Sequence, residues 1–267
     1  MKLSILIPTY NYDPSRLVAQ LQEQLPEDAE IIVGDDSPPH TLGRAGRRNA
    51  LAKEAKGEWL LFIDADAEVR SKNFIADYLT ASKQAQVVCG GTGNLPECPR
   101  PKARLRYDYE VKAEKRLTLL HRRAHPYAQF TTFNFLIQRS LFLSIGFDER
   151  LKEYGHEDTL FGLELKRRGI KVLHIDNKLT HLGLEDAEEY LSKTETALTS
   201  LAKMELEQRQ NVRVSALALR LKRYHLLGFV RFIFKFTKPL LRTNLLGKHP
   251  NQTLFAFYKL GFYSCLK

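Results

Sequence analysis

Three short apolar runs near the start of the chain, Leu3–Ile7, Glu30–Gly34 and Glu58–Ile63, each break off into a polar turn. Pro8–Asn11, Asp35–Ser37 and Asp64–Asp66 follow them in order. Between the runs, Ser15–Gln24 places Leu17, Val18, Leu21 and Leu25 near helical spacing, and Gly43–Lys56 is rich in Ala, Arg and Lys and stops before Gly57, read as its C-cap. Strands alternating with helices predict parallel βαβ units with right-handed connections. Parallel strands carry their C-terminal turns to one sheet edge, where α/β folds bind ligands. Asn73–Ala85 reads as a helix and Gln86–Cys89 as a fourth strand.

The second half is less regular. Lys102–Leu120 reads as a basic helix, Thr131–Gln138 as a strand and Gly146–Glu149 as a turn. Glu157–Arg168 follows as a helix ended by Gly169, then the strand Lys171–Ile175 and a long helix over Ala187–Gln208. With 267 residues, 43% of them apolar and 27% charged, the chain suits one large domain, or a domain with an appendage. The three cysteines, Cys89, Cys98 and Cys265, are too few and scattered for a disulfide framework and suit a reducing compartment. The opening apolar run meets a proline and reads as a strand, not a signal peptide. No uninterrupted apolar stretch of about 20 residues predicts a spanning helix.

Several polar groups are candidates for chemistry. Two carboxylates ending a buried strand repel unless a cation or donors hold them. Asp64-Ala65-Asp66 is therefore either an Mg²⁺ or Mn²⁺ turn facing substrate phosphates or an acidic cap on the next helix. Asp36 can accept hydrogen bonds from a base or ribose, or close an Asx turn. Arg44, Arg47 and Arg48 can hold phosphate or form a solvated face. Glu157-Asp158, at a loop-to-helix junction, can supply a general base or an N-cap. His181 is a possible metal ligand or a packed histidine.

In this order and spacing, these segments resemble the family 2 glycosyltransferases over roughly residues 1–185. Ser4–Asn11 is similar to that family's opening strand and nucleotide loop, and Glu30–Ser37 to its second strand and base-binding aspartate. Arg48-Asn49 with Gly57–Asp66 is similar to the helix leading into its DxD strand; Gly146–Glu149 and Gly155–Asp158 are similar to its acceptor-side segment. The resemblance implies a GT-A fold, a Rossmann-like mixed α/β sheet flanked by helices. It implies a catalytic domain over 1–185 and a helical, basic extension over 186–267. It implies an inverting transfer from a nucleotide-diphosphate sugar, a UDP-sugar, to an acceptor hydroxyl, with Mn²⁺ or Mg²⁺. Pro8, Tyr10 and Asp36 would contact the base, with Arg48 near base or phosphates and Asp64 near the ribose or a metal-bound water. Asp66 and His181 would ligate the metal. Asp158 would be the general base and Glu157 would orient the acceptor. The sequence departs from the family pattern at Ser37-Pro38-Pro39, where a small residue and glycine are common, and at His156, where glycine or tryptophan is.

The net charge of +10 is unevenly placed: residues 209–267 carry 12 basic and no acidic side chains. Arg231, Lys235, Lys238 and Arg242 recur at helical spacing among Phe229, Val230, Phe232, Ile233, Phe234 and Phe236, with Pro239 expected to kink or break the helix. Phe255, Phe257, Tyr258, Phe262 and Tyr263 extend the pattern. A basic, aromatic segment reads as an interfacial membrane helix, or as a helix packed on the catalytic domain with a solvated basic face. The membrane reading implies a cytoplasmic protein, peripheral at the inner face of the membrane, acting on a glycan or lipid-linked acceptor in surface polysaccharide or glycolipid synthesis. A basic nucleic-acid-binding protein fits the charge but leaves the acidic turns unexplained, so no nucleic-acid partner is expected. A dehydrogenase built on Gly90-Gly91-Thr92-Gly93 lacks the full fingerprint spacing. A sugar nucleotidyltransferase would need a glycine-rich phosphate loop that the first strand lacks. A catalytically inactive relative is the remaining alternative.

Overall fold

The computed structural model describes residues 2–37, 42–150 and 155–267. Pro38 and Pro39 of the second acidic turn lie outside the described residues. The chain divides into two compact units. One comprises Met1–Leu95, Glu114–Lys152 and Glu157–Gly183; the other comprises Pro96–Ala113, Glu153–His156 and Leu184–Lys267.

Among the described residues, the first unit holds nine strands: β1 (Leu3–Thr9), β2 (Ala29–Asp35), β3 (Trp59–Ile63), β4 (Ala67–Glu68), β5 (Val87–Cys89), β6 (Thr92–Gly93), β7 (Asn134–Gln138), β8 (Val172–His174) and β9 (Leu179–His181). A six-stranded sheet runs in the order β2-β1-β3-β7-β5-β8, and a small sheet in the order β4-β9-β6. β1 pairs in parallel with β2 and β3, so their three polar turns do leave one edge. β7 is antiparallel to β3 and β5, which makes the sheet mixed. The run Trp59–Ile63 is apolar on both faces because β3 is central and covered on both sides. One cluster packs Leu3, Ile5, Ile7, Leu61 and Ile63 with Leu17, Leu21, Phe74 and Tyr78; the opposite one packs Leu6, Leu60 and Phe62 with Leu51, Phe135, Phe142 and Phe161.

The unit's helices are α1 (Ser15–Gln22), α2 (Gly43–Glu54), α3 (Phe74–Ala81), α5 (Leu119–Ala124), α6 (Arg139–Ile145) and α7 (Glu157–Arg167); α4 (Arg104–Arg116) precedes α5. The single basic helix expected over Lys102–Leu120 is instead a 3-10 turn at Pro101–Ala103, then α4, then α5, which starts at Thr118, whose side chain accepts the His121 amide. Gly57 is not a left-handed cap: α2 stops at Ala55 in extended conformation, and a Cβ at Gly57 would collide with the Ser4 backbone. Gly169 does end α7 at φ +65°, with Gly169 and Ile170 amides returning to Lys166 and Leu165.

The second unit is helical: α8 (Ala187–Lys203), α9 (Leu206–Arg209), α10 (Arg213–Arg223), α11 (Leu227–Leu245) and α12 (Gln252–Cys265). The long helix expected to Gln208 ends at Lys203, because Met204 turns extended and packs against the Leu198–Leu201 cluster. Pro239 does not break α11. It lies on the exposed side, where water can satisfy the carbonyl left without a donor. Phe255, Tyr258 and Tyr263 are core residues, and a Cβ at Gly261 would strike the Phe234 ring. Among the described residues, no helix is long and apolar enough to cross a membrane.

Candidate active site

Helix α2 organises the polar edge of the sheet. Arg44, Arg47 and Arg48 stand three and four residues apart, on one face, and each meets a different acidic segment. Arg47 Nη2 lies 3.4 Å from Asp36 Oδ1, Arg48 Nη2 lies 2.5 Å from Asp64 Oδ1, and Arg44 Nη1 lies 4.0 Å from Glu157 Oε1. Asn49 fixes the next segment: its Nδ2 donates to Phe147 O at 2.9 Å and Glu149 Oε1 at 2.8 Å, and its Oδ1 accepts the Phe147 amide at 2.8 Å.

Arg48 is only 3% exposed, and its Nε and Nη1 donate to nothing among the described residues. Its guanidinium lies 5.9 Å from the Phe147 ring centroid. A buried guanidinium with unused donors is suited to an anionic oxygen brought from outside the chain.

The β1 and β2 turns are knitted together. Pro8 pairs with Gly34 and is half-buried; Tyr10 is exposed. The Asp36 amide donates to Thr9 O, and the Asn11 amide donates to Ser37 Oγ, with Asn11 at φ +48°. Asp35 accepts the Ser37 amide and hydroxyl, which hold its carboxyl below the usual range. Asp36 is buried and accepts the Leu42 and Gly43 amides at 2.6 and 2.8 Å, tying the loop to the start of α2. Its capping role is thus visible alongside any role toward a base.

The Asp64-Ala65-Asp66 turn follows β3. Burial raises the Asp64 carboxyl, the Arg48 charge opposes the rise and Asp66 adds to it. Antiparallel pairing of Ala67 with His181 brings the third strand's turn to β9, and Asp66 Oδ2 lies 3.1 Å from His181 Nε2. The His181 ring stands edge-on to Phe133. A Cβ at Gly183 would land on the Asp66 carboxylate, so only glycine lets that carboxylate lie against the backbone here. Tyr12, on the β1 turn, has its hydroxyl raised by burial and by the Asp66 charge.

Asp158, in the first turn of α7, is pushed up to about 6 by burial and by Glu157, against the Thr159 amide and the Arg48 charge. Arg48 therefore acts electrostatically on both Asp64 and Asp158. The segment enters α7 through Gly155 at φ +104° and His156 at φ +71°.

The structure brings Asp36, Arg48, Asp64, Asp66, Glu157, Asp158 and His181 into one cluster anchored on α2, with Pro8 and Tyr10 on the adjoining turn. Sequence reasoning missed the separate partners of Arg44 and Arg47, the clamp of Asn49 and the need for Gly183. The three-and-four spacing of the arginines was the available signal; nothing local marks Gly183, because its constraint comes from a residue far along the chain. The Gly90–Gly93 run is absorbed by packing: a Cβ at Gly90 would strike Asn134, Tyr78 and Asn177, and Gly91, at φ +96°, lies under the Arg122 guanidinium.

The residues present also bear on a divalent cation. Among the described residues, no group of three or more His, Cys, Asp or Glu side chains could hold a metal. The Asp66–His181 pair offers two ligands on one side, which suits ions that usually keep one or two protein ligands and complete their shell with substrate phosphate and water.

Residues 37–146 match the family model described as Glycosyl transferase family 2. No curated protein sequence matches the chain. Among solved structures, the S. aureus TarS 1–349 fragment is 17% identical, with a TM-score of 0.54, covering 100% of this chain and 90% of that one. The mannosyltransferase PcManGT from Pyrobaculum calidifontis, solved with GDP-Man and Mn²⁺, is 14% identical, with a TM-score of 0.60 and coverage of 99% and 85%. Glucosyl-3-phosphoglycerate synthase from Mycobacterium tuberculosis, in complex with Mn²⁺, UDP-glucose and phosphoglyceric acid, is 14% identical, with a TM-score of 0.50 and coverage of 78% and 79%. The chain thus carries a segment similar to family 2 glycosyltransferases over residues 37–146, on the mixed α/β fold that these solved glycosyltransferases share.

Proposed function

We propose that the protein transfers a sugar, with inversion, from a UDP-sugar to the hydroxyl of a glycan or lipid-linked acceptor. The observation that carries this reading is the convergence of three acidic segments on the arginines of α2, beside the Asp66–His181 pair. TarS has been crystallised with UDP and with UDP-GlcNAc, which supports a uridine donor here. In this reading residues 1–185 form the catalytic domain and 186–267 an appendage that brings the enzyme to the inner face of the membrane for surface polysaccharide or glycolipid synthesis.

Pro8, Tyr10 and Asp36 hold the base: Tyr10 presents an exposed ring, and Asp36 an acceptor carboxylate fixed by two amides. Arg48 directs its unused donors to the donor's ribose or phosphates, and Asp64 stays aligned by its ion pair with Arg48. Asp66 and His181 would hold Mn²⁺ or Mg²⁺, which offsets the charge gained by the departing diphosphate. Asp158 removes the acceptor proton as the acceptor oxygen attacks the anomeric carbon opposite the leaving group. Its raised pKa keeps it basic enough for that task yet ionised at neutral pH. Glu157, fixed near Arg44, orients the acceptor.

A screen of nucleotide sugars that follows nucleoside diphosphate release, with and without divalent ions, tests the proposal. We expect slow release from one UDP-sugar only with the ion, and its loss in Asp66→Ala with an unchanged circular dichroism spectrum. Full turnover in chelator, or by Asp66→Ala, would remove the assigned metal site.

A further inference from the structure

Folding engages part of the tail's aromatic and basic groups. Phe234, Phe255, Tyr258 and Tyr263 are buried. Arg231 donates to Ser264 O, Arg242 reaches Glu188 and Glu195, and Lys238 lies over the Phe262 ring. What remains is ordered. On α11, Leu227, Phe234, Leu241 and Leu245 face the unit's core, whereas Phe229, Phe232, Phe236 and Leu240 are 63, 60, 70 and 73% exposed. Their spacing of three and four residues sets them in one stripe about three turns long. The corner before α11 adds exposed Tyr224 and Leu226. Exposed Lys222, Arg223 and Lys235 accompany the stripe, and no acidic residue occurs anywhere in 209–267.

We propose that this stripe is a membrane-docking face that lies in the surface of an anionic bilayer, with Phe229, Phe232, Phe236 and Leu240 among the acyl chains and the lysines and arginines at the headgroups. Charge complementarity selects this occupant. A second copy of the chain would set one acid-free, basic tail against another. A soluble polyanion would engage the cations but leave the four apolar side chains in water. An interfacial helix needs both features together, with too little total hydrophobicity to cross the membrane, and α11 has them. The proposal rests on the membrane-side acceptor above for its purpose, while its geometry stands independently.

The test measures binding of the full chain to sedimented vesicles of phosphatidylcholine, with and without phosphatidylglycerol. We expect binding that depends on the anionic lipid and weakens with salt. Phe232→Ser/Phe236→Ser should lower it at least about tenfold, and Lys222→Glu/Arg223→Glu/Lys235→Glu should abolish it. Ion-dependent release of nucleoside diphosphate in the absence of lipid should stay at the wild-type rate in both variants. That separate readout distinguishes loss of docking from failure of the transferase assignment. Absence of vesicle binding, equal binding to neutral vesicles, or unchanged binding by the double Phe variant overturns the proposal. So does light scattering that shows a dimer which the Phe variant dissolves.

Discussion

Helix α2 keeps Arg48 almost wholly out of water, and α11 keeps four large apolar side chains in it. In α2 the departure is compensated within the unit: Arg48 has Asp64, Arg47 has Asp36, and Asn49 satisfies the Phe147 backbone. Among the described residues, Arg48 Nε and Nη1 are left as unused donors beside the acids. In α11 the stripe stays exposed among the described residues. Both departures cost free energy in the isolated chain: burying a charge costs desolvation, and exposing rings forgoes hydrophobic stabilisation. Such costs concentrate where a binding partner relieves them, and they point to different partners here. A polar cleft with unsatisfied donors suits an anion; an apolar stripe among cations suits a lipid surface.

The comparison can be broken first at the acids gathered by α2. Asp158→Asn should lower transfer by about 10²–10⁴-fold, the usual contribution of a positioned base, while calorimetric titration shows donor binding unchanged. Because burial and Glu157 raise the Asp158 carboxyl to about 6, wild-type transfer should fall as pH drops through that value, as the base takes up its proton. The variant should lose this limb of the profile. A raised carboxyl pKa also means that the ionised form disfavours the folded state, so Asp158→Asn should be no less stable than wild type at neutral pH; a lowered melting temperature would make Asp158 structural.

Next in size, Arg48→Met should cost roughly 2–4 kcal/mol of stability in urea unfolding, between the cost of an unsatisfied polar group and that of a broken buried ion pair. It should also weaken donor binding. Unchanged stability together with unchanged donor affinity would show that the buried guanidinium matters to neither. The smallest effect is expected on the other helix: Phe236→Ser should change stability by no more than about 0.5 kcal/mol, because an exposed ring contributes little to the fold. A large loss would place Phe236 in a packed interface and erase the contrast between the helices.

The glycines show how legibility varied. Gly169 was readable as a helix end because a left-handed cap is a local requirement. Gly57 was placed correctly but for the wrong reason, since its constraint is the Ser4 backbone, more than fifty residues away. Gly183 gave no sign, because its partner Asp66 lies across the small sheet. The same distinction separates Tyr258, which packs in the core, from Phe236, which does not, although the two have similar neighbours in sequence.

The sequence by itself determined the alternation of strands and helices, the three polar turns at one sheet edge and the excess of cations at the end of the chain. These follow from periodicity, turn chemistry and charge, which act over a few residues. Only the tertiary structure decided that β7 runs antiparallel, that each α2 arginine takes a different acid, and which aromatic rings of the tail stay in solvent. Those outcomes depend on contacts between residues far apart in the chain, where strand order and side-chain packing choose among partners that local patterns leave equivalent.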